Sequence, residues 1–200
     1  MNIKLHCMNN IKDEIIVKNI QSGDSTQFEL LVDRYSEKLL NYVFKMIRSQ
    51  DDAEDILQDV FIKVYTKLHT FDTTRPFKPW IYKITSNICI DYARKKKKVI
   101  TLDKNYSNED NGQSTLLDTI ADKKTPEDQL LDKELLIELN NAIDTLPQKH
   151  KQAFILYHFD NFSYQEIADT LHIPIGTVKS RLSNAYQKVY VLIQKENNDW

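Results

Sequence analysis

Between Phe162 and Leu182 the chain spells out two short helices with a fixed break between them, and no other stretch constrains its fold as tightly. Ser163 and Glu166 stand at the spacing of a capping box, and Phe162 and Ile167 at that of a hydrophobic staple, so the first helix has a marked start. His172-Ile173-Pro174 interrupts it. Pro174 is pre-set for the first turn of a second helix, in which Val178 and Leu182 recur as the buried stripe. The polar face of that helix carries Thr177, Lys179, Ser180, Arg181 and Asn184, donor-rich side chains suited to phosphates and base edges in a major groove. A helical hairpin with a merely solvated polar face is the plainer alternative.

The rest of the chain is built to be helical too. Three Gly and five Pro in 200 residues leave few interruptions, and this predicts an all-α fold. The net charge of -2 gives the whole molecule little attraction to phosphate, so DNA binding calls for a partner. Cys7 and Cys89 form no framework and no C-x-x-C pair, which points to simple thiols in a reducing compartment. No apolar run reaches membrane-spanning length, and Met1 to Ile20 lacks the hydrophobic centre of a signal peptide. The expected location is cytoplasmic.

Apolar spacing predicts a helix from Asp24 to Arg48, capped by Asp24 with Gln27 or by Thr26 with Glu29, and a second from about Asp51 to Leu68. A loop holding Pro76 and Pro79 leads to a third, about Trp80 to Lys97, with Ile81, Ile84, Ile88 and Tyr92 as its buried stripe. Residues 1–98 then form one helical domain. Periodicity fails over 99–128, where Asn, Asp, Ser, Gly and Thr make a flexible acidic linker. Helical spacing returns through Leu130 to Ile143, stops at Leu146-Pro147 and restarts at Ala153, so residues 129–200 form a second domain closed by the helix-turn-helix.

Three stretches carry chemistry. The acidic cluster Asp51-Asp52-Ala53-Glu54-Asp55, extended by Asp59, reads as a docking surface for a basic partner. Two blander causes compete: acids favour a helix start, and a D-D-x-x-D pattern can hold magnesium, although no second acidic motif is present to complete such a site. The run Arg94 to Lys98 ends the third helix, where cations favour the dipole. Its neighbours Tyr82, Lys83, Ser86 and Asn87 interleave aromatic, basic and amide groups, a mixture suited to single strands. Trp80, Phe71 and Phe77 are candidates for stacking on bases, with burial in the core as the commoner fate of each. The five histidines show no metal spacing, and no phosphate loop or nucleophile motif occurs, so neither catalytic residues, a metal nor a cofactor is expected.

In this order the motifs resemble a small two-domain sigma factor of the extracytoplasmic-function group, a bacterial transcription-initiation subunit. The resemblance rests on Gly23-Asp24 with Phe28-Glu29-Leu30-Leu31, Asp52 to Phe61, Phe77 to Asn87, Leu146-Pro147, Phe162 to Ala168 and Ile175 to Arg181. It implies that Asp52, Asp55, Gln58 and Asp59 dock on the clamp helices of core RNA polymerase. It implies that the third helix and its loop, through Phe71, Trp80, Lys83, Asn87, Arg94 and Lys95, open the promoter minus-10 element, with Asn87 receiving a flipped base. The C-terminal domain would read the minus-35 duplex through Thr177, Lys179, Ser180, Arg181 and Asn184. The linker would thread through the polymerase, its acids in the path of nascent RNA, and an anti-sigma factor is an expected further partner. Tyr157 and Asn184 depart from the resemblance, standing where several relatives place arginines on the minus-35 face. Two rivals from other classes are a stand-alone helix-turn-helix regulator, which leaves the N-terminal half unexplained, and a magnesium-dependent helical enzyme, which explains only the acidic cluster.

Overall fold

The computed structural model describes residues 11–102 and 137–196, which are all-α: among them are eight α-helices, two single-turn 3-10 segments and no strand. The chain divides into two compact units, one made mainly of residues up to Thr101 and the other mainly of those after it. In the N-terminal unit α1 spans Asp13–Gln21, α2 Phe28–Ile47, α3 Gln50–Lys67 and α4 Phe77–Leu102, with 3-10 turns at Ser25–Gln27 and Leu68–Thr70. In the C-terminal unit α5 spans 137–144, α6 Gln148–His158, α7 Tyr164–Leu171 and α8 Ile175–Glu196.

Helix α1 precedes the first helix that periodicity predicts, and it ends at a glycine that could not easily be another residue. Gly23 sits at φ 111°, its N–H donates to Ile20 O at 3.0 Å, and the Asp24 N–H donates to Asn19 O at 3.1 Å. That pair of bonds is the Schellman closure, which places the αL residue just past the helix. Asp24 does not cap α2. Its carboxylate instead accepts from Thr26 Oγ1 at 2.5 Å and Gln27 Nε2 at 2.7 Å across the 3-10 turn. Leu31, Tyr35, Leu39, Tyr42 and Val43 of α2 are buried at helical spacing, with Ala53, Ile56, Val60 and Val64 of α3 packed against that helix.

Helix α4 departs from the sequence expectation at both ends and in its rotation. It starts at Phe77, three residues early, because Pro79 lies in the first turn, where no N–H is needed. It runs on to Leu102 and so absorbs the first residues assigned to the linker; residues 103–128, like Cys7, Leu130, Leu131, Leu135 and Leu136, lie outside the described residues. Its buried side is Ile81, Tyr82, Ile84, Thr85, Ser86 and Cys89, so Ile81 and Ile84 are inside as expected whereas Ile88 and Tyr92 are only half-buried. Burial pushes the Cys89 thiol up to about 12, leaving an inert core sulfhydryl.

The helix-turn-helix follows the expectation in its caps and its break, and departs from it at Pro174. Ser163 N–H and Oγ both donate to Glu166 Oε2 at 2.8 Å, and Glu166 N–H donates to Ser163 Oγ at 3.2 Å. Phe162 and Ile167, the staple pair, are both buried. Helix α7 ends with His172 at φ 52° and with Ile173 N–H donating to Ala168 O at 3.1 Å, a second Schellman closure built without glycine. Pro174 stands just ahead of α8 rather than within it, its carbonyl accepting from Thr177 and Val178. Val178, Leu182, Ala185 and Val189 turn inward, and the last two join Ala142, Ile143, Leu146 and Phe154 in one core.

Removing the Ser163 hydroxyl deletes one half of the capping box. Ser163→Ala is expected to lower stability by about 1 kcal/mol, with Ser163→Gly costing only a few tenths, as read from urea denaturation of the full chain. Equal loss in both variants would place the effect elsewhere than in the cap.

Candidate nucleic-acid interface

Helix α3 begins at Ser49, whose hydroxyl accepts from the Asp52 N–H at 3.4 Å, and acids in its first turn suit the dipole. Beyond that turn Asp55, Gln58 and Asp59 are exposed on one face. Asp52 turns the other way. Lys96 Nζ lies 3.0 Å from its carboxylate and 5.7 Å from the centre of the Tyr92 ring, so Asp52 ties α3 to α4. Hydrogen bonding, first from Tyr92 and then from Lys96 and Ser49, holds the Asp52 carboxyl below its ordinary range. The acidic face continues into apolar side chains: Ile62 is 63% exposed and Tyr65 49%. Periodicity assigns Tyr65 to the interior, yet it stacks edge-on against Phe28 with centroids 5.0 Å apart and keeps half its surface open. Ile62 is legible in sequence only as an apolar residue one turn past Asp59 on the polar side.

The loop between α3 and α4 is tethered by the helix that periodicity did not predict. Gln21 Nε2 donates to Leu68 O at 2.8 Å and to Phe71 O at 2.9 Å, and Glu14 Oε1 accepts from the Phe77 N–H at 2.9 Å. Asp72 closes the loop with an Asx turn, accepting from Thr74 N–H at 3.0 Å and Oγ1 at 2.7 Å. Those bonds hold the Asp72 carboxyl below its ordinary range.

Of the three candidate stacking rings, two belong to the core. Phe71 and Phe77 are buried, 5.6 Å apart edge to face, and Trp80 leans on both at 4.9 and 5.5 Å. Phe71 therefore has no free face for a base, and only half-buried Trp80 has a surface to offer. Tyr82 and Ser86 are corrected in the same way. The Tyr82 ring packs edge-on against Tyr42 at 5.5 Å, and the Ser86 and Tyr42 hydroxyls pair at 2.5 Å, because a polar residue and a phenol can satisfy one another inside. Lys83, Asn87, Arg94 and Lys95 do reach the surface. Burial and then the charge of Lys67 hold the Lys83 ammonium below its ordinary value, which marks a concentration of positive charge between α3 and α4.

On α8, Lys179, Ser180 and Asn184 are exposed, and Thr177 and Arg181 are half-buried. Lys179 and Arg181 are two residues apart, which turns them about 200° from each other around the axis. They flank the outward ridge rather than share it. The Ser180 hydroxyl donates to Thr177 O at 3.0 Å, and exposed Ser183 and Gln187 extend the ridge, two residues the motif did not bring forward. His150 of α6 is held below its ordinary value by burial and then by Lys188 and Arg181, so the cationic flank is Lys188 and Arg181 beside an imidazole whose own charge they disfavour. Tyr157, half-buried, hydrogen-bonds Tyr164 with ring centroids 5.2 Å apart, and so belongs to an aromatic contact between α6 and α7.

Comparison with known proteins identifies the family. The profile of Sigma-70 region 2 matches residues 31–99, and that of Sigma-70 region 4 matches residues 136–189. The ECF RNA polymerase sigma factor SigW of Bacillus subtilis is 35% identical over 166 residues, 83% of this chain and 88% of its own length. The ECF RNA polymerase sigma-E factor of Haemophilus influenzae is 31% identical over 92% of this chain and 96% of its own. Among solved structures, CnrH in complex with the cytosolic domain of CnrY has the same fold, with a TM-score of 0.67 at 20% identity over 92% of this chain and 97% of that one. The sigma factor RpoE of Bartonella quintana, solved with the anti-sigma factor NepR, has a TM-score of 0.64 at 23% identity over 84% and 96%.

Gln21→Ala removes both tethers on the loop, each worth about 1 kcal/mol. Amide exchange across residues 71–75 is expected to quicken severalfold while exchange in α2 stays as it was. Unchanged exchange in the loop would show that the tethers do not hold it.

Proposed function

This chain belongs to the sigma-70 family, in its extracytoplasmic-function group, and is an initiation factor that directs RNA polymerase to promoters; we propose how its surfaces divide that work. The carrying observation is segregation of charge: exposed acids on the first half of the α3 face, cations along α4 and on the flanks of α8. The face of Asp55, Gln58 and Asp59, continued by Ile62, docks on the clamp helices of core polymerase, with Asp52 holding α4 alongside. Trp80, Lys83, Asn87, Arg94 and Lys95 engage the minus-10 element, and Asn87 captures a base that leaves the stack. Thr177, Ser180 and Asn184 face the minus-35 bases, while Lys179 and Arg181 grip the phosphates on either side.

Residues 1–98 and 129–200 act as the two promoter-contacting domains, and the segment between them threads through the polymerase. None of these roles is catalytic in the chain itself, since the relatives are initiation factors rather than enzymes. No described helix is long and apolar enough to cross a membrane, and the chain works in the cytoplasm, where its polymerase is. An anti-sigma factor, the class of partner bound by the Bartonella quintana relative, is its proposed inhibitor. The stand-alone regulator finds no support in the region 2 match across 31–99.

Reversing both charges with Asp55→Lys and Asp59→Lys is expected to abolish pull-down of core polymerase while leaving helicity intact, and raised salt should weaken wild-type docking. Undiminished pull-down by the double variant would remove the docking face. For α8, Lys179→Ala and Arg181→Ala are each expected to weaken all minus-35 sequences evenly and to reduce the salt slope by about 1. Loss confined to one base pair would instead make that side chain a base reader.

A further inference from the structure

Between α3 and α4 lies an open cavity of about 330 Å³, to which α3 contributes Lys63 and Lys67 and α4 contributes Asn87 and Arg94. Its charge is uneven. Arg94 is paired with Asp91 at 3.3 Å, whereas neither Lys63 nor Lys67 takes part in an ion pair among the described residues. Lys63 still lies one turn from Asp59, but Lys67 lies two, at the end of α3. The pairing of Asp52 with Lys96 sets the two helices antiparallel, and from that pair Lys67 is about 22 Å along α3 while Lys83 is about 20 Å back along α4. Lys67 and Lys83 therefore stand at one level. Lys83 is also one turn before Asn87, on the stripe that continues through Ile90 and Arg94 into the cavity. Their charges register the closeness: after burial, it is Lys67 that holds the Lys83 ammonium below its ordinary value.

We propose that Lys67 and Lys83 together seat one backbone phosphate of the opened strand, beside the nucleotide that Asn87 captures, an inference that rests on the reading of α4 as the seat of the minus-10 element. Two ammonium groups brought together repel, and the free fold gains nothing from holding them so. An anion between them turns one repulsion into two attractions. A phosphodiester fits that position, since its single charge is shared by two oxygens that each accept from an ammonium. An ammonium is a compact point charge that grips phosphate whatever base is attached. The pair therefore holds the strand in place without reading it, and leaves recognition to the groups around Asn87. Lys67 is exposed, so its charge can be removed without opening the core.

The test uses the full chain reconstituted with core polymerase and a fork promoter already single-stranded across the minus-10 element, so that melting does not enter the measured affinity. Each non-template phosphate in turn is replaced by an uncharged methylphosphonate. Wild type is expected to lose affinity severalfold at one phosphate beside the captured base. Lys67→Met and Lys83→Met are each expected to bind the unmodified fork severalfold more weakly and to lower the single-strand salt slope by about 0.7. At that one phosphate both variants should lose nothing further, while at every other they lose what wild type loses. Since the exchange relieves a like-charge contact, the thermal midpoint of Lys67→Met should stay at or above that of wild type. If Lys67→Met binds the unmodified fork as wild type does, or responds to every methylphosphonate as wild type does, the assignment of Lys67 is overturned while the reading of α4 stands. A lowered midpoint with evenly weakened binding would make Lys67 a residue of the fold and overturn it equally. If no methylphosphonate weakens wild type, the reading of α4 as the minus-10 seat falls, and the phosphate seat falls with it.

Discussion

The paired hydroxyls of Tyr42 and Ser86, 2.5 Å apart in the interior, fix the rotation of α4, and everything the N-terminal unit offers to a nucleic acid depends on that rotation. A buried hydroxyl left unpaired costs roughly 1 to 3 kcal/mol, so neither partner can turn outward without penalty. With Tyr82, Ser86 and Cys89 held inside, the helical repeat forces Lys83, Asn87 and Arg94 to the other side. A rotation of α4 by one residue, about 100°, would turn Asn87 inward to the direction of Ser86 and take the Ser86 hydroxyl off Tyr42.

The same seam explains where sequence and structure diverge. Of the α4 stripe Ile81, Ile84, Ile88 and Tyr92 the first two are buried, but the packed side runs on through Tyr82, Thr85 and Ser86, where the Ser86 hydroxyl pairs with Tyr42 and the Thr85 hydroxyl donates to Ile81 O. Hydrophobic period alone cannot register a polar group that finds its partner on another helix 44 residues away. Phe71 fails for a related reason: a loop aromatic looks available in one dimension and closes a three-ring cluster in three. Local chemistry fared better. The capping box, the staple and the break at His172 are written in residues that bond to their near neighbours, and each formed as its spacing requires.

Helix α1 was illegible because its role is tertiary. It is only nine residues long, burying Ile16 and Val17, and its polar side chains reach distant elements: Asp13 to Arg34 and to the Tyr35 hydroxyl, Glu14 to the first N–H of α4, Gln21 to the loop carbonyls. The buried Tyr35 phenol is pushed far above its ordinary value, by burial first and the Asp13 carboxylate second, so it remains a donor throughout the physiological range. α1 thus acts as a brace on the segment that leads into α4, and the loop's shape is set by residues 47 or more positions upstream.

Helix α3 joins the two kinds of surface in a single element. Its exposed side begins with Asp55 and Asp59 and turns basic at Lys63 and Lys67, each step one turn of about 5.4 Å. That spacing is well inside a screening length of about 8 Å at physiological ionic strength, so the acids and the cations feel one another's field. In the free chain the carboxylates offset the lysines and weaken their pull on phosphate, in keeping with a net charge of -2. A basic partner seated on Asp55 and Asp59 would cancel that negative field without touching Lys63 or Lys67, which would then present their full positive charge to phosphate. Such an effect, being electrostatic and reciprocal, would let DNA held at these lysines strengthen docking on the acidic turn by the same factor. An acidic chain can in this way be a weak DNA binder alone and a strong one in complex, with no change in its fold.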